Sequence, residues 1–352
     1  MPDAREWIDT AGVPVRSYGR WCPASVRHYI YALGVVWTLL RERRHYEVVY
    51  LLMGGVQLTT ALPMARLLRK RILMKFSGSN TIAPLAKSWL GRLQLRLLRR
   101  WADRILILNS AMKEEAVAAG FSDSHLGWMP NPVDTEHFLP PSGRDRAAFR
   151  SARKILLAAP LILFVGRLAR EKNLPSLMQA FASVVERQPE AVLALVGDGP
   201  LKTELEQLAK NLSIANNVRF VGAVLPTAVC GWLQAADVFV LVSSLEGFPC
   251  ALIEAMATGL PAVVTNIPGS TQIIRDGVNG FVVPCGDSHA IAVAILRLVE
   301  NSSVRRALGT AARTLIEDQY SISKVIARYE RLLIEITRYA SGPTTRRRAA
   351  LR

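Results

Sequence analysis

Long apolar runs are scarce in this 352-residue chain. The longest, Tyr29 to Leu40, ends in Arg41, Arg43 and Arg44 and falls short of the roughly 20 residues that span a bilayer. It reads as a buried or interfacial helix. The first residues are acidic and polar, so they are not expected to act as a signal peptide. Cysteine is sparse as well: Cys22, Cys230, Cys250 and Cys285 lack metal-ligand spacing, and free thiols in a reducing compartment account for them most simply. The five histidines are dispersed, with no pair at helical or zinc-like spacing, so neither a metal nor a bound cofactor is expected. Neither solenoid-length repeats nor nucleic-acid motifs are present, which argues against nucleic acid as a partner.

What the chain does have is basic charge. The formal net charge is +16, and residues 1–140 carry 19 Lys and Arg against 11 Asp and Glu. A further cluster, Arg346 to Arg348, sits in the tail. Such a surface attracts anionic lipid or phosphorylated substrate. Half the residues are hydrophobic and a fifth charged, a globular composition.

From Leu161 to Gly286 one theme repeats: a short apolar β-branched run, a turn with Gly or Pro, then an amphipathic stretch. The runs are Leu161–Val165, Val192–Val196, Val218–Val221, Val238–Val242, Ala262–Thr265 and Gly280–Val283. Such alternation predicts an α/β fold with a doubly wound parallel sheet. A less regular set precedes it, with strands at Glu47–Leu52, Ile72–Phe76 and Ile105–Leu108. The expectation is two Rossmann-like domains facing across a cleft. Residues 1–140 form the first and 141–320 the second, with a Pro-, Asp- and Ser-rich linker over Asn131–Arg150. Residues 321–339 form a helix crossing back, and 340–352 a disordered basic tail.

Three turns carry chemistry. The first reads Phe164-Val165-Gly166-Arg167-Leu168-Ala169-Arg170-Glu171-Lys172-Asn173. It sets Arg167 and Lys172 just after a strand, where sheet edges and helix N-termini receive anions; two cations there suit a diphosphate. Equally, Arg167, Glu171 and Lys172 could form a solvated salt-bridge cluster. The second, Val196-Gly197-Asp198-Gly199-Pro200, is a sharp turn at the same edge. The third runs from Ser243 to Pro261 and contains Glu246-Gly247-Phe248-Pro249 and Leu252-Ile253-Glu254. Glu254 lies about one turn into an apolar helix, so its carboxylate needs a partner: a sugar diol, or a backbone group or Arg in a structural role.

These blocks, with Val218-Arg219-Phe220-Val221-Gly222, Met129-Pro130-Asn131-Pro132-Val133-Asp134 and Asp276-Gly277-Val278-Asn279-Gly280, resemble glycosyltransferase family 4, retaining enzymes of the GT-B fold. The resemblance covers about residues 125–340. It implies a transferase moving a sugar from a UDP- or GDP-sugar to a glycan or lipid-linked acceptor, at the cytoplasmic face of a membrane or in the cytoplasm, without a metal. Arg167 and Lys172 would hold the diphosphate, Glu246 the transferred sugar and Glu254 the ribose. Gly166, Asp198, Gly199, Gly247, Phe248, Pro249 and Leu252 would complete the donor site, with Arg219 and Phe220 near the base.

The first domain departs from the family pattern. The usual opening strand and glycine-rich loop are not seen, and roughly 60 to 80 residues are expected to be missing relative to a full two-domain chain. The sheet would then carry a bare edge. Lys75 to Thr81 has no histidine where one is common, and Gln272 stands where an acid is common. Hence an inactive nucleotide-sugar binder remains an alternative, as does a sugar-nucleotide epimerase on the same fold. A helix over Lys87–Trp101, cationic and flanked by Trp89 and Trp101, could lie on an anionic membrane or pack as a core helix with a basic face.

Overall fold

In the computed structural model, the described residues are 5–8, 14–17, 24–52, 56–76, 78 and 81–338. The basic tail 340–352 and much of the Lys75–Thr81 loop lie outside them. The chain divides into two units: Met1–Met129 with Arg328–Arg352, and Pro130–Ala327.

The first unit opens with an antiparallel pair, β1 (Arg5–Ile8) and β2 (Pro14–Ser17). Then follow α1 (Ala24–Arg41), β3 (Val48–Leu52), α2 (Val56–Leu67), β4 (Arg71–Lys75), α3 (Ile82–Lys87), α4 (Trp89–Trp101), β5 (Arg104–Ile107), α5 (Ser110–Ala118) and β6 (Leu126–Trp128). Strands β3-β4-β5-β6 form a parallel sheet in that order. Strand β2 pairs with β1 and is not part of this sheet. Edge strand β3 exposes Tyr50 and Leu52, while β4 is buried from Ile72 to Lys75. Helix starts are set by local chemistry: Ser88 Oγ accepts from Gly91 N at 3.0 Å and Asn109 Oδ1 from Met112 N at 2.8 Å, satisfying N–H groups a helix cannot bond itself.

The second unit comprises α6 (Gly143–Ala152), β7 (Leu161–Val165), α7 (Leu174–Arg187), β8 (Val192–Val196), α8 (Lys202–Asn211), β9 (Val218–Gly222), α9 (Pro226–Ala235), β10 (Val238–Leu241), α10 (Cys250–Ala257), β11 (Ala262–Thr265), α11 (Pro268–Thr271), β12 (Phe281–Val283), α12 (Ser288–Glu300) and α13 (Ser302–Gln319). Its six strands run parallel in the order β12-β11-β10-β7-β8-β9. The sequence of strands thus reverses direction between β7 and β10, the switch point of a Rossmann sheet, whose carboxyl edge is where such folds bind ligands. Val238 to Leu241 and Ala262 to Thr265 are fully inside, as strands covered on both faces must be. Helices α7 and α12 pack together, as do α10 and α13.

The expected linker Asn131–Arg150 is corrected: it belongs to the second unit and ends in α6. Ser142 Oγ accepts from Asp145 N at 3.1 Å to start that helix. Arg150 near its end is 1% exposed, its Nη2 donating to Asp237 Oδ2 at 2.7 Å and its Nε to the Ala235 carbonyl at 2.9 Å. Val133 N donates to Tyr320 O at 2.9 Å, and Ile322 N to Val133 O at 3.2 Å. The last helix, α14 (Ile322–Arg338), carries residues of both units, the division falling after Ala327.

Candidate functional site

Two loops leave the carboxyl ends of the switch-point strands, one after β7 and one after β10. The first holds Gly166, Arg167 and Lys172; the second holds Glu246, Gly247 and Phe248. Backbone and side chain tie them together. Ser244 N donates to Glu171 O at 2.8 Å, and Lys172 Nζ donates to Glu246 Oε1 at 2.6 Å. The same Oε1 accepts from Ser243 Oγ at 2.7 Å. Lys172 and Glu246 are largely enclosed, with side chains 18% and 10% exposed, so the pair fixes the loops in a low-dielectric setting. Of the two expected cations, Lys172 is therefore already paired, whereas Arg167 stands exposed, with no partner for its guanidinium among the described residues.

A third loop, after β8, closes against the first. Leu168 N donates to Asp198 O at 2.9 Å and Leu201 N to Leu168 O at 3.0 Å. Asp198 itself is exposed, its Oδ1 accepting from Gly199 N at 2.7 Å. Gly197 makes the approach possible. It has φ +133°, and a Cβ there would lie 2.0 Å from Gly166 O, so any other residue would be strained and would push the loops apart.

Helix α10 supplies Glu254. Its carboxyl is half-buried, and among the described residues no hydrogen bond or ion pair reaches it. Burial raises its pKa above the ordinary carboxylate range, an effect partly opposed by the nearby His137. The structural alternative of an Arg or backbone partner for Glu254 is thus not realised, and the carboxylate stands ready for hydroxyl donors.

Other expected residues divide. Phe248 is buried and its ring lies 5.9 Å from Tyr320; Pro249 is buried at the start of α10. Phe220 is half-buried on β9. Two others have side chains engaged within the unit. Leu252 is 0% exposed, so its side chain belongs to the core. The Arg219 guanidinium donates to the carbonyls of Arg153 and, at 2.8 Å, Lys154. It anchors the segment after α6 instead of reaching toward a ligand.

The sequence reading missed three contributors. Ser243 grips Glu246 from the end of β10, and Thr265 Oγ1 in turn donates to the Ser243 carbonyl. Gly269 admits the Glu246 loop, since a Cβ would lie 2.5 Å from Glu246 O. Pairing across loops leaves no mark in a linear pattern. Beside Gly269, Ser270 Oγ and, two residues on, Gln272 Nε2 are buried with no hydrogen-bond partner among the described residues.

The chain is similar to known proteins in sequence and in fold. Residues 145–315 match the family model of glycosyl transferases group 1. The N-acetyl-alpha-D-glucosaminyl L-malate synthase of Bacillus anthracis is 30% identical over 195 residues, covering 55% of this chain and 50% of that protein. The sulfoquinovosyl transferase SQD2 of Arabidopsis thaliana is 30% identical over 285 residues, 76% of this chain and 52% of the relative. The chain spans about half the length of these curated relatives. The crystal structure of Anabaena Alr3699/HepE in complex with UDP superposes with a TM-score of 0.77 at 20% identity, covering 89% of this chain and 84% of that one. Residues 145–315 therefore constitute a glycosyl transferases group 1 domain, in a chain of GT-B fold.

Proposed function

We propose that the chain is a retaining glycosyltransferase that moves a sugar from a UDP- or GDP-sugar to a glycan or lipid-linked acceptor in the synthesis of a surface polysaccharide or glycolipid. The observation that carries this reading is the placement of Arg167, Lys172 and Glu246 on the two loops that flank the switch point. Departure of a sugar leaves negative charge on the diphosphate. Fixed cations aimed at that charge stabilise the transition state more than the ground state. Arg167 is free to fork onto phosphate oxygens. Lys172 would bridge phosphate and Glu246, whose carboxylate then lies beside the transferred sugar. Glu254 would accept two ribose hydroxyls. No residue of the first unit is assigned a base.

The names of the relatives support the reading: a glucosaminyl L-malate synthase, a sulfoquinovosyl transferase, and a neighbour crystallised with UDP. We also place the protein against an anionic membrane surface, through the basic and apolar face of α4, although no helix of the described residues is long and apolar enough to cross one.

The first test is calorimetric titration of UDP, GDP and UDP-glucose into wild type and Arg167→Ala, followed by product analysis with and without added acceptor. We expect Arg167→Ala to weaken nucleotide-diphosphate binding by about 10- to 100-fold, as loss of a charge-assisted contact does. Equal affinities would refute the phosphate role. Turnover of UDP-glucose to an epimer without acceptor would sink the transferase reading.

A further inference from the structure

The opposite end of the same two strands holds a second charged site. Asp237 precedes β10, and its carboxylate collects more cations than it can neutralise. Arg150 Nη2 donates to Oδ2 at 2.7 Å, Arg146 Nη2 to Oδ1 at 2.5 Å, and Arg305 Nε stands 3.9 Å away, its Nη1 donating to the carbonyls of Leu298 and Val299 and its Nη2, without a partner among the described residues, left for a ligand. Oδ2 also accepts from Leu161 N at 2.9 Å. Three guanidiniums around one carboxylate leave a surplus of positive charge in a region largely shielded from water: the side chains of Arg150, Arg146 and Arg305 are 1%, 29% and 26% exposed. Asp237 is accordingly held below the usual carboxylate range by Arg146 and Arg150 despite its burial. Arg150 is pulled down by burial and by the charge of Arg146 and Arg305, against the pull of Asp237.

This cluster opens into a cavity of about 660 Å³ that is also lined by Arg306 and Arg313, with Glu317 the other acid. Arg313 is committed: it donates to the carbonyls of Phe138 and Thr135, at 2.6 and 3.0 Å, and to that of Ala257. That last bond caps the end of α10 and sets positive charge against the negative end of its dipole. Arg306 is exposed, and nothing among the described residues holds its guanidinium. Pro140, Leu233, Leu260 and Pro261 also line it, apolar surface suited to a carbon skeleton.

We infer that this cavity is a binding site for a phosphate monoester, its dianionic head between Arg146, Arg305 and Arg306 and its organic body against the proline and leucine wall. A dianion matches the surplus that Asp237 leaves, and guanidiniums hold planar pairs of phosphate oxygens. The site lies about 15 Å, one strand length, from the Arg167 loop, and does not depend on the reading of that loop. The phosphate could come from a soluble metabolite or a lipid headgroup.

Titration of the full chain with phenyl phosphate, inorganic phosphate and dihexanoyl phosphatidic acid tests the site and separates the sources. Binding of phenyl phosphate supports a soluble ligand; binding of phosphatidic acid alone supports a lipid headgroup. In either case Arg306→Ala is expected to weaken binding about tenfold and Arg306→Glu more, while Arg167→Ala leaves it unchanged. Because Arg306 is exposed and has no partner among the described residues, both variants should keep the wild-type Tm. Unchanged affinity in Arg306→Glu would overturn the site. So would loss of affinity in Arg167→Ala, which would put the anion at the switch point, or no binding of any probe at millimolar concentration.

Discussion

Glu254 illustrates how a single half-buried carboxylate can be kept at the expense of the fold. It has no hydrogen bond or ion pair among the described residues, and is held above its ordinary titration range by burial, against the pull of His137. A group whose folded pKa is raised binds protons more tightly in the folded state than in the unfolded one. Its protonation therefore favours folding, and that contribution is lost as pH rises through the unfolded and then the folded pKa. Glu254→Gln should accordingly be more stable than wild type at pH 7, with the gain shrinking as pH falls toward 4. The same variant should bind nucleotide diphosphates more weakly, because an amide accepts from only one of two diol hydroxyls. Thermal unfolding across pH together with calorimetry checks both. A variant less stable than wild type at pH 7 would mean that the carboxylate has a structural partner.

At the level of elements, α6 is the piece whose role least resembles its sequence. Pro140-Pro141-Ser142-Gly143 and the charges after it read as a linker, yet Ser142 caps a helix whose Arg150 is enclosed. That arginine donates to the carbonyls of Ala235, Leu157 and Ala159 and to Asp237, pinning α6 and the following loop to the amino ends of β7 and β10. Arg150→Ala should cost about 3–5 kcal/mol in chemical denaturation, since it strips several buried carbonyls of their donor. A loss below 1 kcal/mol would show that water or Arg146 replaces it. By contrast, β7, β8 and β11 are legible to the residue, because strands buried on both faces are written as unbroken apolar runs. Arg167 and Glu246 of the candidate site were legible for a related reason: each stands in the loop that follows such a run. The pairing across the loops was not, since Lys172 meets Glu246 across 74 residues of sequence. Nor was the direction of Arg219, because a strand position names a neighbourhood and not where a long side chain ends.

For the molecule as a whole, charge sets the behaviour. With a net charge of +16 and α4 exposing Trp89, Leu90 and Leu93 beside its arginines, the protein should float with phosphatidylglycerol vesicles at low salt. High salt should release it. Phosphatidylcholine should not retain it, and Trp89→Ala with Leu93→Ala should weaken retention. Absence of flotation on anionic vesicles at low salt would remove the membrane from the account.

The Arg150–Asp237 contact also bears on the order of assembly. Its two ends are 87 residues apart, so a growing chain makes the cation long before the anion. Until β10 emerges, the segment from α6 to β9 has no carboxylate to seat that arginine, and the central strand β7 lacks its neighbour on one side. The domain must then close as a unit late in synthesis. A nascent chain halted before Asp237 would present β7 as an open apolar edge, the form in which such a chain is most exposed to aggregation.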